Sequence, residues 1–440
     1  MVKRITTIVG AGAVLDFELP KESVRPSTEK ITDAIREIRI KKRLIDKDFV
    51  EIEDIYQILK NNYPCYPNFE IIFHVIEKLV AYGWVWQHPN MRPKASSMFP
   101  AFAPFTAPKF LYDKDNLKQA LDEILLTIMD IVDGYNAPYL ADDTFNRWYR
   151  EFWREYKGAW DVFNLNYDTT IEHTLDDCED GFDDIQDQPE FKHFVPQKLW
   201  ENKRGCSTMS HLHGCIEFFD SRYKQNVYKK ELFNYDFHDL YKYPSYDNVR
   251  NMYTGSSKSS PSNQAGEQFV NTPIITGLMK TDKLNILPFT FYHSHLYNCV
   301  VRNNSLLIVG YSFGDLYINQ LIKRMELIHG DKKRVVLIDY WNMAVDDTEN
   351  DKEGEESINR NSFICEMMKQ KFWDDGINQG LGYFLCYMTG NPDFESAVGS
   401  FKNYDRKGPM VSSNGCLMLF IGGFKAAAEY REKIYDFLNS

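Results

Sequence analysis

Four short apolar runs, each broken at once by a polar or glycine-rich turn, constrain this chain more than anything else in it. Ile5 to Val9 runs into Gly10-Ala11-Gly12, and Val162 to Leu165 into Asn166-Tyr167-Asp168. Leu306 to Val309 runs into Gly310-Tyr311-Ser312, and Val335 to Ile338 into Asp339. Runs of this length, rich in β-branched residues and without strict polar alternation, suit strands covered on both faces, as in a parallel sheet. Helical periodicity fills much of the chain between them. Buried strands alternating with helices predict an α/β fold built on an open, mainly parallel, Rossmann-like sheet. Ligands of such sheets bind outside the carboxyl ends of the strands, and each of the four turns occupies such an end.

The helices give the domain layout. Ile31, Ala34, Ile35 and Ile38 share a helical face, and so do Ile71, Val75 and Leu79 beside Ile72 and Ile76. The clearest stripe is Leu117, Leu121, Ile124, Leu125, Ile128 and Ile131, with Asn116 expected as its cap and Gln119 in the capping-box position. A further helix is expected over Phe145 to Tyr156. Together they predict a largely helical insertion at about residues 20–160, including an aromatic-rich ordered loop around Trp84 to Phe110. Strands are expected near Met209, leading into "HLHG", and over Pro273 to Thr276. The acidic stretch at 176–190 reads as a solvated loop, and residues 255–263 and 346–357 as surface excursions. The expected domain is 1–345, followed by an extension, 346–440, of unassigned role.

Composition narrows the function classes. With 440 residues and 43% apolar content the chain can bury a large core. A net charge of -12 argues against direct nucleic-acid binding, which needs an excess of Lys and Arg. No apolar run approaches the length of a membrane span. "KRITTIVGAGAVL" has the basic start of a secretory signal but reads better as a buried strand. The eight cysteines include no C-x-x-C pair, so a structural zinc is not expected. Scattered cysteines suit a reducing cytosol, and a cytoplasmic location is expected.

Several residues are candidates for chemistry. Gly10 and Gly12 permit a tight turn and close backbone approach to a phosphate, or a turn with no ligand. Leucine at position 15 breaks the G-x-G-x-x-G dehydrogenase fingerprint. Gly310 and Ser312 suit a second phosphate or a ribose, with Asp315 as a helix cap. Asp339 suits ribose hydroxyls, or a cap. In "HLHG", strand alternation puts His211 and His213 on one face, and the glycine after His213 favours His213.

The ordered set "GAG", "NYD", "LHG" and "GYSFGD" resembles the sirtuin superfamily, most of all its bacterial sirtuin-like defence effectors. "IVGAGAVLDF" is similar, more narrowly, to sirtuin-like subunits paired with HerA-type ATPases. The resemblance spans roughly residues 5 to 340 and implies a sirtuin-like fold that hydrolyses NAD as an anti-phage defence. It implies that Asn166 contacts the nicotinamide ribose and the attacking water, that Asp168 faces the nicotinamide carboxamide, and that His213 is the catalytic histidine. It further implies a phosphate loop at Gly10, Ala11 and Gly12, an adenosine-side loop at Gly310 and Ser312, and an adenine-ribose contact at Asp339. NAD would be a substrate, cleaved to nicotinamide and ADP-ribose. A homo-oligomer and a HerA-type ATPase partner are expected from the same resemblance. Val14 stands where many members have serine, and the zinc-binding C-x-x-C pairs of sirtuin deacetylases are missing. A protein deacylase or ADP-ribosyltransferase, and a non-catalytic NAD or ADP-ribose sensor, are the alternatives.

Overall fold

The structure, a computed structural model, describes residues 3–21, 23–41, 49–62, 67–81, 114–186, 188–200, 205–220, 239–253, 272–277, 280–284, 286–341, 379–401 and 408–440. The aromatic-rich segment around Trp84 to Phe110 and the excursions at 255–263 and 346–357 lie outside them. The described strands are numbered in chain order.

The four apolar runs become neighbours in one eight-stranded sheet. β1 (Arg4–Val9), β4 (Ala159–Asn164), β11 (Ser305–Val309) and β12 (Arg334–Ile338) are joined by β5 (Cys178–Glu179), β8 (Ser207–His211), β13 (Met410–Val411) and β14 (Leu417–Phe420). The order is β13-β14-β12-β11-β1-β4-β8-β5, and every neighbouring pair is parallel except β13 with β14. With the two outermost strands set aside, this is a doubly wound Rossmann-like order, whose topological switch lies between β1 and β11. The register makes the carboxyl edge level. Val9 pairs with both Asn164 and Val309, Asn164 with His211, Val309 with Ile338, and Ile338 with Phe420. The turns that follow therefore emerge side by side.

Alternate strand residues feed two apolar layers. Ile5, Val9, Val162, Met209, Leu307, Val309 and Val336 face one layer, and Ile8, Phe163, Leu306, Ile308, Val335 and Leu337 the other. Full burial of such side chains is worth about 1.5–3 kcal/mol each, which explains runs without polar interruption. The first layer also takes the insertion helices Thr28–Arg36, Ile52–Asn62, Phe69–Ala81, Lys114–Ala141 and Arg147–Arg154. The second takes Phe289–Arg302, Leu316–His329 and Gln379–Thr389. β2 (Arg39–Lys41) and β3 (Phe49–Glu51) form a separate ribbon. Among the described residues no helix is long and apolar enough to cross a membrane.

Three sequence expectations change. The acidic stretch is not a loop: β6 (Phe182–Ile185) and β7 (Gln188–Phe194) form a hairpin, in one small sheet with β9 (Phe218–Asp220) and β10 (Leu240–Lys242). Phe182 and Phe194 bury themselves there while Asp183 pairs with Lys198 at 2.8 Å. Asn116 is no cap, because the helix already includes Lys114 and buries Asn116. Pro273 to Thr276 is no sheet strand; Ile274 makes one isolated bridge, to Gly214. Described residues of the 346–440 extension, to which the sequence assigns no role, pack into the fold. β14 pairs with β12, and Phe424 and Tyr435 pack against Phe152 of the insertion, with Phe424 at 4.8 Å between ring centroids.

Candidate active site

The turns after β1 and β11 touch backbone to backbone. Gly10 N–H donates to the Val309 carbonyl at 2.9 Å, and Gly12 N–H to the Gly310 carbonyl at 3.0 Å. A Cβ on Gly10 would lie 2.6 Å from the Gly310 oxygen, and one on Gly12 2.6 Å from the Gly310 Cα. Gly310 has φ +60 and would place a Cβ 2.3 Å from Ala13 N. No side chain fits between these loops, so their mutual approach itself requires the three glycines. Ala11 and Ser312 are exposed at the tips of the two turns.

The turn after β4 joins this pair. Asn166 donates its side-chain N–H to the Gly10 carbonyl at 3.1 Å, while its own backbone N–H is held by Asn164 Oδ1 at 3.0 Å. Asp168 takes a different place from the one expected. It is buried, and its Oδ2 accepts from the Tyr135 hydroxyl at 3.0 Å. Its Oδ1 accepts from the Thr170 backbone at 3.1 Å and the Thr170 hydroxyl at 2.5 Å. Asp168 thus starts the short helix Thr170–Thr174 and fastens the insertion to the sheet, its oxygens committed inside the protein.

The two histidines separate because β8 ends at His211, so alternation no longer governs His213. His211 Nε2 lies 2.8 Å from Glu172 Oε2, and the Glu172 carboxylate also binds Lys242 at 2.7 Å. His213 points elsewhere: its Nε2 is 3.2 Å from Asp315 Oδ2. Asp315 comes from the turn after β11, where its other oxygen caps helix Leu316–His329 by accepting from Tyr317 N–H at 2.9 Å and Ile318 N–H at 3.2 Å. Burial first, and then the Lys280 ammonium, push the His213 pKa down; Asp315 offsets part of this. Burial alone would raise the Asp315 pKa, but the His213 hydrogen bond and the His213 and Lys280 charges hold it well below the usual carboxylate range. An ionised Asp315 accepts the Nε2–H of a neutral His213. The free lone pair is then on Nδ1, which leaves an oriented ring able to accept a proton there.

No family model and no curated protein matches this chain. Gly10, Gly12, Gly310 and Asn166 are in direct contact, and His213 is tied to the Gly310–Ser312 loop through Asp315. Asp339 lies one strand further, half-buried, with its oxygens accepting from Tyr340 N–H at 2.8 Å and Trp341 Nε1–H at 2.7 Å. Sequence reasoning recognised Asp315 only as a cap, and missed Lys280 and Glu70, whose charges both act on His213.

Two groups of donors, among the described residues, are close enough for a metal ion: Asp161 with His295 and Cys299, and Glu172 with His173 and Glu217. Both already hold a cation. Arg4 bonds Asp161 at the opposite edge of the sheet, and the Lys242 ammonium lies 2.7 Å from Glu172 and from Asp180, and 3.8 Å from Glu217.

Proposed function

We propose that this edge cleaves the nicotinamide–ribose bond of NAD, releasing nicotinamide and ADP-ribose. The observation that carries the reading is the His213–Asp315 pair, an oriented neutral base beside the Gly10–Asn166–Gly310 contact at the switch point. Bond breaking leaves an oxocarbenium-like ribose. A site for this reaction must orient the dinucleotide, stabilise the cation and place a water. His213 Nδ1 is the group to take a proton from that water or from a ribose hydroxyl. Asn166 is the group to position the ribose, and the Gly10–Gly12 and Gly310–Ser312 turns to receive the rest of the dinucleotide, with Asp339 towards the adenine ribose. Asp168 contributes through the scaffold, not by contact with the carboxamide. The ordered motifs that resemble sirtuin-like defence effectors support the same reading.

Purified protein incubated with NAD should release nicotinamide and ADP-ribose in equal amounts, followed by chromatography. Release of nicotinamide with the ADP-ribose moiety retained on protein would point to transfer, and absence of both products would defeat the reading. We extend the proposal to NAD depletion in anti-phage defence, with the chain acting as a homo-oligomer beside a HerA-type ATPase. Support comes from the resemblance and from exposed Leu316, Leu327 and Tyr383 on helices Leu316–His329 and Gln379–Thr389. Mass measurement in solution and co-purification with the ATPase test this extension.

A further inference from the structure

Two ion pairs connect the same two elements beside His213. Helix Phe69–Ala81 of the insertion supplies Glu70 and Glu77, and the turn Lys280–Lys283 supplies their partners. Lys283 meets Glu77 at 2.8 Å, donates to the Thr276 carbonyl at 3.3 Å and lies over the Phe73 ring at 4.8 Å. Both members of that pair are largely buried, with side chains 10% and 13% exposed. It anchors the strap Thr272–Gly277, whose Ile275 N–H donates to the His213 carbonyl at 2.6 Å and whose Ile275 carbonyl accepts from the Tyr167 hydroxyl at 3.3 Å. Lys280 meets Glu70 at 2.9 Å with side chains 22% and 26% exposed.

The anchoring is thus accomplished by Lys283, and Lys280 differs from it in position. Lys280 opens the same turn whose Lys283 holds the strap at Thr276, and the strap's Ile275 N–H reaches the His213 carbonyl, so Lys280 is carried on the segment that borders His213. A partly exposed ion pair is weakly held, whereas a lysine bonded to a phosphate makes one of the stronger polar contacts. In a chain of net charge -12, with Asp315 and Glu70 both near the histidine, a phosphate-bearing ligand needs a cation placed here.

We propose that Lys280 receives the phosphate groups of the nucleotide, and that Glu70 occupies it until the ligand displaces the carboxylate. This rests on the reading of the edge as a dinucleotide site and names a residue for its anionic part. It also gives the insertion a function: helix Phe69–Ala81 brings a competing carboxylate to the mouth of the site, which sets how readily a nucleotide enters.

The test is calorimetric titration of the full chain and its Lys280→Gln and Glu70→Gln variants with ADP-ribose, ADP and nicotinamide riboside, which has no phosphate. Lys280→Gln should weaken ADP-ribose and ADP by roughly tenfold or more. Glu70→Gln breaks the same ion pair yet should tighten both several-fold, because it frees the lysine. Nicotinamide riboside should bind all three proteins alike. A purely structural ion pair would make both substitutions weaken binding, and that result overturns the proposal, as does unchanged binding by Lys280→Gln. If ADP shows the opposed changes while ADP-ribose does not bind the wild-type protein, the phosphate residue stands and the NAD reading falls. If neither nucleotide binds the wild-type protein, both fall.

Discussion

His211 and His213 are two residues apart in sequence and belong to different kinds of environment. His211 ends β8 inside a buried charge cluster, where Lys242 is surrounded by Glu172, Asp180 and Glu217. His213 lies just past the strand, paired with Asp315 and close to partly exposed Lys280 and Glu70. In the first cluster every charge is committed to a neighbour that keeps the small sheet on the large one. In the second, the ring has an oriented free nitrogen and a neighbouring cation in a partly exposed ion pair. Polar residues two apart at a strand end can thus belong to unlike environments, and their partners decide which.

Breaking the first cluster should produce the largest effect on stability. Lys242→Met removes the cation and leaves Glu172, Asp180 and Glu217 buried together, a loss of about 3–5 kcal/mol. Urea unfolding measures it; a midpoint within error of wild type would mean the cluster does not hold the sheets together.

Asp315→Asn probes the second environment. Asparagine also caps helices well, so helix Leu316–His329 should keep its start while His213 loses its anion. NAD cleavage should fall by about tenfold or more. Because the carboxylate raises the His213 pKa against burial and Lys280, its removal should also move the acidic limb of the kcat/KM profile to lower pH. An unmoved limb would separate Asp315 from the protonation of His213.

Glu217 gives the first environment a signature in pH. Burial first, opposed by Lys242 and reinforced by Glu172, pushes its pKa up to about 8. A carboxyl raised in the folded state stabilises fully below its unfolded value, near 4.3, and loses that contribution as pH rises through about 8. Tm should therefore decline between about pH 5 and pH 8 and level off above that, and Glu217→Gln should flatten this decline. An equal decline in the variant would assign it to other groups.

The sheet was legible in the sequence where strands are continuous apolar runs, as in β1, β4, β11 and β12. β14 has the same character in "LMLF", but its place beside β12 depends on a long-range pairing that periodicity does not encode. The hairpin β6–β7 was hidden because its buried phenylalanines are interspersed with acids that face Lys198 and Lys192. Asn166 and the three glycines could be read as strand-end features, though not the contact between them. The separation of His211 from His213 was illegible, since it depends on the residue at which β8 stops. Asp315 looked like a cap and is one; its second partner lies 102 residues earlier in the chain. Asp168 shows the converse: a polar residue in the expected motif whose oxygens are taken by Tyr135 and Thr170.

The proposed function puts the chemistry at the His213 edge and not at the His211 cluster. The most direct measurement is nicotinamide release from NAD by wild type, His213→Ala and His211→Ala, each normalised to folded protein by near-ultraviolet circular dichroism. His213→Ala should lower the rate per folded molecule by about 10²–10⁴-fold, with a midpoint lowered only by the loss of its hydrogen bond to Asp315. His211→Ala should lower the midpoint while its folded fraction turns over NAD at a rate near wild type. Cleavage that survives in folded His213→Ala and disappears in folded His211→Ala would contradict the account.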